Sequence, residues 1–217
     1  MRLDVEAARR ARWLHWLSAH ERARVERYVD PLHGARYLAA HAQLRWLLGE
    51  RLGLAPETLA FERAAQGKPH LAGRPLRFNL THCREFGMVA LHPTLEVGVD
   101  IEWIEAQRGW LALARRFFTG GESAWLAGLA PEAQARAFCR LWTCKEAWMK
   151  ADGRGLGAGL RSVEVGLGEG HAPELRGAPG WRGRELAPPP GFAGAVVWAS
   201  AGGDEPEVRL TWLPPPP

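Results

Sequence analysis

Helix-like stretches followed by short strand-like pieces occur twice along these 217 residues, and this order constrains the fold more than any other feature. Runs of one element type followed by runs of the other belong to α+β architectures. Their recurrence suggests two similar halves in one chain, and if the halves pair, the cleft between them is where site residues from both would collect. The halves are expected at 1–97 and 98–213, and the proline tail 214–217 is expected to be disordered. In the first half, apolar spacing predicts helices over Ala7–Leu17, from a Ser18-x-x-Glu21 capping box to about Val29, and over Ala35–Leu52, with Asp30-Pro31 as a break. Strands are expected at Leu59–Arg63, Leu76–Thr81, Gly87–His92 and Glu96–Glu102. Helices return at Trp110–Phe118, Gly121–Leu129 and Ala133–Lys150, and strands at Ser162–Leu167, Ala193–Ala199 and Glu207–Trp212.

Composition narrows the class. Hydrophobic residues at 47% and charged residues at 24% describe a globular protein, with no run long enough to span a bilayer. Acids at Asp4 and Glu6 interrupt the N-terminus before any secretory pattern, so the expected compartment is the cytoplasm and the expected state a soluble monomer. Three cysteines, Cys83, Cys139 and Cys144, give an odd count without metal-type spacing, which argues against disulfides and zinc. A formal charge of +4 suits an anionic partner, whether a phosphorylated metabolite, an acidic protein or nucleic acid. The arginines are dispersed along helices and form no stripe, so a metal-dependent nuclease is disfavoured and no nucleic-acid partner is expected.

Only three lysines, Lys68, Lys145 and Lys150, stand against 25 arginines, and Asn79 is the only asparagine. In a chain that uses arginine wherever either cation serves, the remaining lysines mark places that want a compact ammonium. These residues crowd into two windows, 67–102 and 142–150. In the first, the strand Val97-Gly98-Val99-Asp100-Ile101-Glu102 puts Val97, Val99 and Ile101 on one face and Gly98, Asp100 and Glu102 on the other. Two carboxylates on one face repel, and a hard divalent cation relieves that repulsion; a solvated polar face fits the same pattern. Gly98 beside them is expected to leave room for a ligand. In the second window Trp142, Glu146 and Lys150 recur at i, i+4 and i+8. Glu146 is a candidate third ligand to a magnesium ion, and Lys145 a candidate to position it; a surface Glu-Lys pair is the alternative. His82 and Cys83, adjacent on a strand, face opposite ways, which argues against a cysteine nucleophile with a histidine base.

Five ordered motifs together resemble one family. Gly67-Lys68-Pro69, Phe78-Asn79-Leu80-Thr81-His82, Gly98-Val99-Asp100-Ile101-Glu102, Arg116-Phe117-Phe118 and Trp142 to Lys150, with the following Gly153 to Leu156, resemble the motifs of 4′-phosphopantetheinyl transferases. Length and spacing resemble the larger, surfactin-synthetase-activating type, which implies an α+β intramolecular pseudo-dimer with the active site in the cleft between the halves. The resemblance implies Mg²⁺-dependent transfer of the phosphopantetheine arm of coenzyme A to a serine of an acyl or peptidyl carrier protein, releasing 3′,5′-ADP, with Mn²⁺ as the other candidate metal. By that pattern Asp100, Glu102 and Glu146 hold the metal, and Glu146 is also the leading base. Lys68, Thr81 and His82 fall at coenzyme-binding positions, and Lys150 neutralises the bridging pyrophosphate oxygen. Arg24 and Arg36 fall near positions that bind the 3′-phosphate. Thr81 and Cys83 stand where many relatives carry serine, and Glu21 stands where lysine is frequent. Phe118, Trp125 and Leu126 are candidates for carrier docking, with helix core as their other reading. A non-catalytic coenzyme A-binding protein is the alternative, and it predicts binding without metal dependence.

Overall fold

The computed structural model describes residues 1–106, 109–153, 159–167, 172–200, 202 and 205–216. In the N-terminal part, α1 (Ala7–Trp13) runs into a 3-10 turn at Leu14–Trp16, followed by α2 (Ala19–Glu26) and α3 (Pro31–Leu52). The capping box is present: Ser18 Oγ accepts from the Glu21 amide, and Glu21 accepts from the Ser18 amide. Asp30-Pro31 starts α3 instead of only breaking the chain, because Asp30 caps the Leu32 amide and a proline in the first turn has no helical hydrogen bond to lose. Gly53, at φ 67°, closes α3 in the left-handed conformation. Leu3, Trp13, Leu17, Leu38 and Ala39 form the core beneath these helices.

Strands β1 (Phe61–Arg63) and β2 (Pro69–Leu71) make a short antiparallel pair. β3 (Arg77–Cys83) and β4 (Phe86–His92) form a hairpin in register from Arg77↔His92 to Cys83↔Phe86. After β5 (Val97–Trp103) come α4 (Trp110–Phe117), α5 (Gly120–Ala127) and α6 (Pro131–Asp152), then β6 (Glu164–Gly166), β7 (Glu174–Arg176), β8 (Trp181–Leu186) and β9 (Phe192–Ala199). β5, β9 and β8 make an antiparallel sheet in that order, with β9 buried from Phe192 to Trp198. α6 packs across β5 and β9, and Phe118, Phe138, Leu141, Trp148, Val163 and Val197 share the core at this end. The architecture is α+β.

Two expectations are corrected here, and for Phe118 and Leu126 the helix-core reading holds. Gly98 admits a helix and not a ligand: a Cβ on it would lie 2.0 Å from Ala147 O and 2.4 Å from the Ala151 amide nitrogen. The segment 207–212 is not a strand; among the described residues it has no ladder partner, and it is held by side chains instead. Phe118 and Leu126 are core, each 1% exposed, while Trp125 is 42% exposed. Residues 214–216 carry no regular structure, but Pro216 is buried. Among the described residues, no helix is long and apolar enough to cross a membrane.

Candidate active site

Alternate residues of β3 meet β5 through side chains. Asn79 Oδ1 accepts from the Val99 amide at 2.9 Å, Thr81 Oγ1 donates to Asp100 Oδ1 at 3.0 Å, and the Cys83 thiol points at Glu102 Oε2, 3.7 Å away. The period of two along a strand puts Asn79, Thr81 and Cys83 on this one face. From α6, Lys150 Nζ donates to Asp100 Oδ1 at 2.6 Å and to Thr81 Oγ1 at 3.1 Å. Asp100 is 4% exposed, and among the described residues its Oδ2 is buried without a hydrogen-bond partner. A buried carboxylate oxygen left unpaired is costly, and such exceptions mark places where a ligand belongs. Burial pushes the Asp100 carboxyl up, against the pull of Lys150 and Thr81. Glu146, half-buried one helical turn before Lys150, is pushed up to about 7, first by burial and then by the Asp100 and Glu102 carboxylates, with Lys150 opposing. The three predicted acids therefore share one electrostatic neighbourhood.

A cationic neighbourhood adjoins it. His82 faces away from Thr81, and its ring is held below the usual imidazole range, first by loss of water and then by the positive charges of His41, Lys150, Arg24 and Arg36. Arg24 is exposed, with its guanidinium 5.3 Å above the Tyr37 ring, which stacks on His41 at 4.0 Å. Arg36 makes a two-pronged pair with Asp4 at 2.8 and 3.1 Å. Lys68 ties its loop to the start of β5 and the end of α6, donating to Glu96 Oε2 at 2.7 Å, Val97 O at 3.2 Å and Ala151 O at 2.8 Å. A shallow cavity lined by Gly67, Lys68, Asn79, Glu146, Lys150 and Gly153 joins the two rare-residue windows. Arg154 to Leu156 lie outside the described residues.

This geometry coincides with likeness to known proteins. A family model described as the 4′-phosphopantetheinyl transferase superfamily matches residues 96–193. The chain is 36% identical over 190 residues to the 4′-phosphopantetheinyl transferase HetI of Nostoc sp., covering 86% of this chain and 80% of that protein. It is 33% identical over 162 residues to the 4′-phosphopantetheinyl transferase psf-1 of Bacillus pumilus, covering 74% of this chain and 68% of that protein. The chain belongs to the 4′-phosphopantetheinyl transferase superfamily. A third member, the 4′-phosphopantetheinyl transferase of Bacillus subtilis, is 29% identical over 169 residues, covering 77% of this chain and 74% of that protein. The superfamily match contains Asp100, Glu102, Glu146 and Lys150, whereas Arg24, Arg36, Lys68, Thr81 and His82 precede it.

Two polar assemblies beside this superfamily site escaped the sequence reading. Lys145 does not reach Glu146. It is fully buried and pairs with Glu122 Oε1 at 2.8 Å, and it also donates to the carbonyls of Leu160 and Val163. One residue along α6 is a turn of about 100°, which aims Lys145 away from its neighbour. Glu21 is likewise a buried hub, accepting from Arg45 Nε at 2.9 Å and lying 3.0 Å from His41 Nδ1. The capping box announced Glu21, but nothing local links it to Arg45, 24 residues away.

Proposed function

We propose that this chain transfers the 4′-phosphopantetheine arm of coenzyme A to a serine of an acyl or peptidyl carrier protein and releases 3′,5′-ADP, using Mg²⁺ or Mn²⁺. Superfamily membership supports the reaction class. The observation that carries the site assignment is the unpaired buried Oδ2 of Asp100 beside Lys150 and the raised Glu146. Oxygen donors whose mutual repulsion raises one of them toward neutrality fit a hard divalent cation, for which Asp100, Glu102 and Glu146 would be the holders. Among the described residues, no three His, Cys, Asp or Glu side chains form a ready metal cage.

The bound cation would supply charge neutralisation at the pyrophosphate. The remaining work falls to side chains. Lys150 brings a compact ammonium that stabilises charge on the bridging oxygen, a task for which a single donor point suits better than a guanidinium fork. Glu146 accepts the proton of the carrier serine, directly or through a water. Arg24, Arg36 and Lys68 supply positive charge for the nucleotide phosphates and His82 a neutral ring N–H to donate to them, with Thr81 holding Asp100 and Lys150 in register. The basic balance of the chain suits an acidic carrier partner.

The site lies where 1–97 meets 98–213, and we read these as the two halves of a pseudo-dimer in a cytoplasmic monomer. Each half is built on a 22-residue helix with proline in its first turn and a left-handed glycine at its end, Gly53 or Gly153, which supports that reading. The test is chromatography of a reaction containing apo carrier, coenzyme A and Mg²⁺. The reading predicts 3′,5′-ADP release only with carrier present; coenzyme A binding without release would overturn it.

A further inference from the structure

Thr81 and Cys83, which contact Asp100 and Glu102, lie at the tip end of the β3–β4 hairpin, and a chain of aromatic rings fastens that tip. Phe86, paired with Cys83 across the turn, meets Phe192 edge to face at 5.2 Å between centroids, and Phe192 meets Trp103 at 5.0 Å. Trp103 follows Glu102 on β5. Arg84, at φ 52°, lays its guanidinium 4.3 Å above the Trp103 ring, and Gly191 packs so closely beneath it that a Cβ there would be 2.5 Å from ring carbon Cζ3. On the outside, Trp212 closes the series at 6.1 Å from Phe86.

Trp212 belongs to the segment 205–216, which crosses from one half to the other. Arg182 pairs with Glu205 at 3.3 Å at its start. Val208 packs on Val97, Val196 and Trp198, and Leu213 on the cluster containing Met1 and Leu3. Those first residues flank the same hairpin: Met1 and Gly87 exchange backbone hydrogen bonds, and the Leu3 amide donates to Glu85 O. The segment is thus anchored at both ends and touches the hairpin tip between them, with no ladder of its own.

We propose that residues 205–216 form a strap that positions the β3–β4 tip against the end of β5, with Trp212 as a positioning residue for the Asp100–Glu102 pair. Its catalytic consequence rests on the transferase reading above; its structural consequence does not. Releasing the ring series lets the tip shift relative to β5, and a displacement of about 1 Å is enough to cost a site its alignment. Four proteins decide the matter: wild type, Trp212→Ala, Trp212→Phe, and Leu210→Ala as a control in the same segment, as exposed as Trp212 but outside the ring series. Amide hydrogen exchange over residues 83–88 should rise about tenfold in Trp212→Ala through local opening, and remain at the wild-type level in Trp212→Phe and Leu210→Ala.

In the transfer assay, Trp212→Ala should raise the Mg²⁺ concentration for half-maximal rate by about fivefold, with the rate at saturating metal within about twofold of wild type, and Trp212→Phe should restore it. A Trp212→Ala protein with wild-type exchange at 83–88 overturns the strap. Faster exchange with an unchanged metal requirement overturns the positioning role and leaves only a structural contact. If the wild type itself transfers nothing, the transferase reading fails, while the exchange experiment still decides the strap.

Discussion

Replacing Gly98 by alanine would drive a methyl group into the backbone of α6, 2.0 Å from Ala147 O. Neither element can give way without moving Asp100 from Lys150, so Gly98→Ala should cost at least about 3 kcal/mol by chemical denaturation, the upper end of overpacking penalties. The sequence showed that glycine beside the acids mattered, but a missing side chain looks the same whether a ligand or a helix fills the space. Lys150 was legible because lysine is so rare here. Its partner was not, since Glu146 at i−4 is the local choice, and only the fold brings Asp100 to 2.6 Å. Lys150→Arg should keep the charge and lose the point donor, lowering kcat by about 100-fold, a size typical of losing one transition-state donor. A rate within twofold of wild type would show that any cation suffices.

Elements were most legible where period and caps agreed. The long helices, the β3–β4 hairpin and β5 follow their patterns to within a few residues. β8 escaped notice because its inward positions are Gly183 and Glu185, and the buried Glu185 is offset by Arg140 at 2.6 Å, a pairing invisible to hydropathy. The same blindness hid the Glu122–Lys145 pair. Removing one partner of a buried ion pair strands the other, so Lys145→Met should cost about 3 kcal/mol and lower Tm, while the folded protein retains coenzyme A binding because the side chain faces away from the site. Glu21 gives an acid signature. Burial tends to raise its carboxyl, but hydrogen bonds from His41, Arg45 and Ser18 outweigh this and hold it well below the ordinary range. A group depressed in the folded state contributes stability above its unfolded pKa of about 4.3 and loses it as pH falls toward the folded value. Glu21→Gln should therefore be destabilised most at pH 7, with the difference from wild type shrinking toward pH 3 in urea titrations; a constant difference would refute the hub.

At the scale of the molecule, the α+β class and the two acid-bearing windows could be read in the chain, because the rare residues sit in locally regular strands and helices. How the parts are fastened could not. Lys68 bridging to Ala151 O, Asn79 holding the Val99 amide, and Val208 and Leu213 packing on two separate clusters are all contacts between residues far apart in sequence. Such contacts set the acids around Asp100 beside Lys150 and Thr81, and the account stands or falls on these groups working as one site. The most direct measurement is the intact mass of an apo carrier protein incubated with coenzyme A and Mg²⁺, beside reactions containing EDTA or the Asp100→Ala protein. The account predicts a gain of one phosphopantetheine on the carrier in the complete reaction and none in the other two; an equal gain with Asp100→Ala would contradict it.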